Sequence, residues 1–270
     1  MGGKFLILCR MSFSSLTYET ENRIATVTLN RPERRNALDD TMIRELSEVF
    51  NSINRNNHSR VVVLTGSGSA FCAGMDLEYL KKFSSLSHEE NLEDARNLMK
   101  MLQAVANVRK PVIAMVNGSA LGGGCGLAAA CDYVFVSKEK AKFGVPEVKL
   151  GFVPAVILMF LIKRMGYGPT REFVLQGAII DSATAKQKGL ATEVVDDANL
   201  QNAVLEFAGK LACSTSPSSI ALTKDLFSRF DEMNVKDLLE YASNLNAIAR
   251  KTDDFKKGID SFLNKEKLEW

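Results

Sequence analysis

The residues with chemistry to offer fall mainly in two glycine-rich stretches. The first is Gly66-Ser67-Gly68-Ser69-Ala70-Phe71-Cys72-Ala73-Gly74-Met75-Asp76, and the second is Asn117-Gly118-Ser119-Ala120-Leu121-Gly122-Gly123-Gly124. Each follows a short apolar run, residues 60–65 and 111–116, that reads as a buried strand. Loops after parallel strands put bare backbone N–H groups where α/β proteins hold ligands. The second stretch also opens a helix, whose N-terminus favours negative charge. Two such loops are able to aim two N–H donors at one developing oxyanion. Either loop alone reads first as a tight connection in which Gly supplies positive φ and close packing; the two together suggest more.

Other chemistries find less support. Gly66-x-Gly68 is a fragment of the dinucleotide fingerprint, but the third Gly is missing and no helix opens at once; no G-x-x-x-x-G-K-[ST] occurs. No G-x-S-x-G elbow is present. Five cysteines (Cys9, Cys72, Cys125, Cys131, Cys213) are odd in number and irregularly spaced, which suits a reducing compartment rather than a disulfide framework. His58 and His88 lie in polar surroundings far from them, so no metal site is expected. Cys125 has no histidine nearby in sequence and reads as a small buried residue rather than a nucleophile. Asp132 reads as the end of a helix that ties down a turn. Glu147, after Pro146, reads by itself as a glutamate at a loop end.

The elements that must position these residues follow from periodicity. Residues 16–30 predict two short strands turning at Glu21-Asn22. Asp39 predicts an N-cap for a helix to about Asn56, with Met42, Leu46, Val49, Phe50 and Ile53 on one face. Helices are expected around residues 77–83, 90–107 and 125–130, with a strand at 133–136. Continuously apolar strands alternating with helices argue for a parallel sheet covered by helices. After about residue 200 only helices are expected, at 198–213, 217–230 and 235–250. The expected division is an N-terminal extension (1–15), an α/β core (16–197) and a helical region (198–270).

A chain of 270 residues is long enough to bury a sizeable core. Its net charge of +2 is too small for a dedicated nucleic-acid binder, yet leaves room for a local positive patch. Residues 153–162 are strongly apolar but end at Lys163-Arg164, which predicts a buried helix rather than a membrane span. The apolar run 5–9 is shorter than a secretory core, so a cytoplasmic location is expected. Met11 is an alternative start, with residues 1–10 an upstream extension.

Four segments in order, RIATVTLNRPERRNALDDTM, VVVLTGSGSAFCAGMDL, KPVIAMVNGSALGGGCGLAAACDYVF and AKFGVPEVKLGFVP, resemble the crotonase (enoyl-CoA hydratase/isomerase) superfamily in motif and spacing. The resemblance covers residues 16–195 and weakens in the helical tail. It implies a spiral of ββα units with a C-terminal helical region used in trimer formation. It also implies an acyl-CoA thioester substrate, so that coenzyme A belongs to the substrate and no separate cofactor is needed. The partners implied are further copies of the chain, as a homotrimer or a hexamer, with no nucleic acid, membrane or metal.

By the same resemblance, the backbone N–H groups of Met75 and Gly123 form the oxyanion hole and Glu147 moves protons. Arg35, Ala37, Ala73, Asp76, Leu77, Gly122 and Gly126 line the acyl-CoA, with Asn36 in the same loop as Arg35 and Ala37, and Arg31, Arg34, Arg35 and the basic residues near the C-terminus are placed to meet its phosphates. Hydratases of this kind often carry two glutamates. Here the first position is Gly126, which implies a wider acyl pocket. One carboxylate suffices for a 1,3-proton shift, so Δ3-Δ2 isomerisation stands beside hydration of a 2-enoyl-CoA, with a methylglutaconyl-type substrate among the candidates. Hydration ranks first on the look of the segment around Glu147. A catalytically weak CoA- or RNA-binding protein is the alternative from another class.

Overall fold

The computed structural model describes residues 13–270; the expectations for the alternative start and for residues 1–10 lie outside them. Strands β1 (Leu16–Glu21) and β2 (Ile24–Leu29) pair antiparallel around Asn22 and Arg23, whose φ values are 50° and 64°. Two positive-φ residues make the tight hairpin turn that matches strand twist. Helix α1 (Asp40–Arg55) starts where expected: the Asp39 carboxylate accepts the Met42 N–H, and Met42, Leu46, Val49, Phe50 and Ile53 are buried.

Three strand pairs follow. They are β3 (Val61–Gly66) with β4 (Ala70–Cys72), β5 (Val112–Val116) with β6 (Ser119–Leu121), and β7 (Tyr133–Ser137) with β8 (Lys142–Gly144). Helices α2 (Leu77–Phe83) and α3 (His88–Ala106) follow the first pair, and α4 (Gly123–Ala129) joins the second to the third. Helices α5 (Ala155–Met165) and α6 (Tyr167–Gln176) then lead to β9 (Ile179–Asp181), α7 (Ser182–Gln187) and β10 (Glu193–Val195). Four helices close the chain: α8 (Leu200–Ser214), α9 (Pro217–Arg229), α10 (Val235–Ala249) and α11 (Asp253–Leu263).

In each pair the first strand joins a six-stranded sheet, β1-β2-β3-β5-β7-β10, and the second a four-stranded sheet, β4-β6-β8-β9. Only β1 and β9 run antiparallel to their neighbours. This is the expected spiral of ββα units, and the fold is crotonase-like α/β. Both faces of the large sheet are covered. Val62 and Leu64 point into the main core with α1, α3 and α4, whereas Val61 and Val63 meet Leu200, Val204 and Ala208 of α8. Covering on both sides explains why β3 reads as an unbroken apolar run.

Two expectations change. Helix α5 is only half buried: Ile157, Leu161 and Met165 face the core while Met159 is exposed, as are Phe152 and Val153 just before it. The tail carries one more helix, α11, than the periodicity predicts. Asp132 does tie down a turn, accepting the Val112 N–H at 2.7 Å, and it also pairs with Lys224 of α9.

Candidate active site

The segment before α1 runs alongside the segment after β4. Ala73 N donates to Arg35 O (3.0 Å), Leu38 N to Gly74 O (2.7 Å) and Asp76 N to Leu38 O (2.8 Å), a short parallel pairing of Leu38 with Met75. Successive peptide groups alternate sides in extended chain. The pairing uses Gly74 C=O and Asp76 N–H, so the Met75 N–H points the other way.

Asn36 staples this turn. It is fully buried, its Oδ1 accepts the Arg31 N–H, and its Nδ2 donates to Ser67 O and Ala70 O. The Arg31 guanidinium donates to Ala37 O at 2.8 Å and pairs with Asp39 at 2.8 Å and Asp76 at 3.3 Å. Asp76 also caps α2 by accepting the Glu78 N–H at 2.9 Å. Burial works against its charge, but these amides and Arg31 outweigh it and hold the carboxyl below the usual range.

The second glycine loop lies directly against the first. A Cβ on Gly74, whose φ is +90°, would stand 2.8 Å from Leu121 O and 3.6 Å from Gly123 N. Gly122 has φ 49° and ψ −120°, a conformation open essentially to glycine alone, and its N–H donates to Gly144 O at 2.8 Å. Glu147 packs on it: a Cβ on Gly122 would lie 2.8 Å from Glu147 Oε1. The carboxylate thus sits on bare backbone beside the residue that carries the Gly123 N–H.

Glu147 belongs to a 3₁₀ turn, Pro146–Lys149, whose opening φ is set by proline. Its carbonyl accepts from Leu150 N and Phe152 N, each at 2.9 Å. Its Oε2 is buried without a hydrogen-bond partner. Burial pushes the Glu147 carboxyl up, a bond to its own backbone opposing only in part. A buried carboxylate with a free oxygen and raised proton affinity is suited to taking and returning protons. Among the described residues, neither Met75 N–H nor Gly123 N–H donates to a protein acceptor. Two free amides on touching loops, next to such a carboxylate, can stabilise an oxyanion while a proton moves nearby.

Of the other expected site residues, Ala37 is buried, Ala73 is half-buried and Leu77 is largely exposed on the same rim. Arg35 is exposed, at φ 51°, beside Ala73. Arg31 and Arg34, expected to meet phosphates, both stand in ion pairs. Arg31 pairs with Asp39 and Asp76, and Arg34 pairs with Glu78 at 3.1 Å on the surface. The expectation of a wider pocket at Gly126 is corrected. A Cβ there would lie 2.6 Å from Ile157 Cβ and closer still to its Cγ2, so Ile157 fills the space. Cys125 is inert: burial, and then the Glu147 charge, push its thiol up. Ile157 escapes sequence reasoning, and so does the stapling role of Asn36, which the resemblance places only in the loop along the CoA. An Asn amid the polar run 31–36 was the available signal for the staple, and nothing local marks Ile157.

A family model described as enoyl-CoA hydratase/isomerase matches residues 19–270. The chain belongs to the enoyl-CoA hydratase/isomerase family. Relatives within it include the mitochondrial enoyl-CoA hydratase of Pongo abelii, 33% identical over 91% of this chain and 83% of that one. The short-chain-enoyl-CoA hydratase of Clostridium acetobutylicum is 31% identical over 96% of this chain and 98% of its own. Among solved structures, an enoyl-CoA hydratase from Shewanella pealeana superposes with a TM-score of 0.88 at 30% identity, covering 96% of both chains. Family membership gives the loop geometry its chemical setting, an acyl-CoA thioester.

Proposed function

We propose that this protein adds water across the double bond of a 2-enoyl-CoA. The observation that carries the reading is Glu147: its Oε2 is buried and unpartnered, and its Oε1 packs on Gly122, next to the two loops whose amides are free. In this reading Met75 N–H and Gly123 N–H hold the thioester oxygen as it becomes an enolate oxygen. Glu147 takes a proton from water while the water oxygen bonds to C3. The carboxyl then delivers that proton to C2 as the enolate collapses, which leaves Glu147 ionised and the product hydrated. The raised proton affinity of Glu147 supports its serving in both directions.

A second reading, Δ3-Δ2 isomerisation, is favoured by Gly126: a single carboxylate that removes and returns one proton suffices for it. Turnover of 2-enoyl-, 3-enoyl- and 3-methylglutaconyl-CoA followed by mass spectrometry separates the two. Hydration adds the mass of one water, and isomerisation leaves the mass unchanged. Loss of neither activity in Glu147→Gln would sink both.

Arg35 is the arginine of this turn that stands exposed outside the ion pairs of Arg31 and Arg34, which supports a role at the CoA phosphates. The tail supports self-association. Helices α9 and α11 bury no residue and α10 buries only Leu245, while Phe227, Phe230, Leu239 and Phe262 are exposed. We assign that surface to copies of this chain, as a trimer or a pair of trimers. Among the described residues no helix is long and apolar enough to cross a membrane. The free thiols of Cys72, Cys125, Cys131 and Cys213 suit a reducing, cytoplasmic setting.

A further inference from the structure

We infer that Ile157, seated in the space that a side chain at position 126 would occupy, sets which acyl groups the site accepts. The inference rests on the acyl-CoA reading above and deepens it. Gly126 lies one turn beyond Gly122 on α4, its N–H donating to Gly122 O at 3.1 Å. Gly122 is the residue on which the Glu147 carboxylate packs. The neighbouring Cys125 thiol is also close enough to feel the Glu147 charge. The space in front of position 126 therefore borders the reacting end of the site. Ile157 reaches it from the first turn of α5, the helix that follows the Glu147 turn.

The two residues fit as a pair. Helix α4 is built from Gly123-Gly124-Cys125-Gly126-Leu127-Ala128-Ala129, all buried, which lets α5 approach closely. Any Cβ on residue 126 would overlap the β-branched carbon and Cγ2 of Ile157. Ile157 is itself only 3% exposed, so it is wedged and cannot swing aside without moving α5. The wall that borders Glu147 here is hydrocarbon. It offers nothing to a carboxylated or hydroxylated acyl tail, and its volume is taken from longer or branched chains. A short, unbranched, apolar acyl group is the class that fits.

The test uses binding of saturated acyl-CoAs, which needs no turnover. Titration calorimetry of butyryl-CoA and octanoyl-CoA is run on the wild type, Ile157→Val and Ile157→Ala, with thermal melts to confirm folding. Truncating Ile157 opens space beside the carboxylate that a rigid core does not refill. The octanoyl-to-butyryl affinity ratio is expected to rise about tenfold in Ile157→Ala, the scale of a methylene-sized pocket change, and by less in Ile157→Val. Should Ile157→Ala fail to fold, Ile157→Val carries the same test. A ratio unchanged within about twofold, with the wild type binding both thioesters, overturns the inference and leaves the acyl-CoA reading standing. A wild type that binds neither thioester overturns the acyl-CoA reading and this inference with it.

Discussion

Among the described residues Glu147 meets no hydrogen-bond donor at Oε2, and its Oε1 stands where a side chain on Gly122 would begin. Two outcomes are expected of Glu147→Gln. Turnover should fall by about 10²-fold or more, the scale of a positioned acid/base, and the acid limb of the wild-type kcat/KM profile, displaced upward from the ordinary carboxylate range, should vanish. The stability effect has the opposite sign. Because the folded carboxyl is raised, the native state holds more protons than the unfolded chain above the ordinary glutamate pKa of about 4.3, and stability is lost as pH climbs toward the folded value. Glu147→Gln should therefore melt higher than wild type at about pH 7 and converge with it near pH 4; a lower melt at neutral pH would reveal a hidden partner for the anion. Gly122→Ala should be damaging, since the new methyl would need a positive φ and the volume of Oε1. A loss of about 10²–10³-fold in kcat is expected, comparable to losing one oxyanion donor. Unchanged steady-state kinetics in a folded Gly122→Ala protein would count against this geometry. Gly126→Glu, attractive as a way to restore a second carboxylate, is expected to unseat Ile157 and lower both melting temperature and turnover.

The turn over residues 31–38 shows an element doing what single residues cannot. Asn36 satisfies Arg31 N–H, Ser67 O and Ala70 O at once, and Arg31 neutralises Asp39 and Asp76 on either side of the Leu38–Met75 pairing. Asn36→Ala leaves buried main-chain groups unpartnered and should cost about 2–3 kcal/mol in denaturant unfolding, with KM for the thioester rising because Arg35 and Ala37 ride on the same turn. A loss below about 0.5 kcal/mol would mean that water replaces the amide. Elements with strong local signals were legible in the sequence. Asp39 marked the start of α1, and the apolar runs marked β3, β5 and β7. The four-stranded sheet was not legible, because its strands are three residues long, too short to show alternation. Helix α3 begins earlier than its apolar stripe suggests, because the Ser87–Glu90 capping box sets its first turn. The two loops were legible through their glycines, whereas Glu147 by itself read as a glutamate at a loop end and drew its role from the resemblance alone. The limits of the site were not legible: Ile157 against Gly126 and Arg31 between two aspartates are contacts between segments distant in sequence, and neither residue type advertises them.

At the scale of the whole molecule the chain divides its apolar surface unevenly. The large sheet and α1 bury theirs, whereas α9, α10 and α11 leave Phe227, Leu239 and Phe262 open. Sedimentation equilibrium should show a trimer or hexamer, and Leu239→Glu together with Phe262→Glu should shift the distribution toward smaller species; a wild type that is monomeric at micromolar concentration would refute the assignment of that surface. The large sheet has a different consequence, visible to hydrogen exchange. Both free amides sit on loops leaving the ends of β3–β4 and β5–β6, and β3 and β5 are covered on both faces. Their amides should exchange only through global opening. Glu147 sits instead on a short turn followed by exposed Leu150, Phe152 and Val153, so the Leu150 and Phe152 amides, bonded to its carbonyl, should exchange through local opening. The half of the site that holds charge is thus anchored in the slowest-exchanging part of the protein, and the half that carries the proton in a faster one.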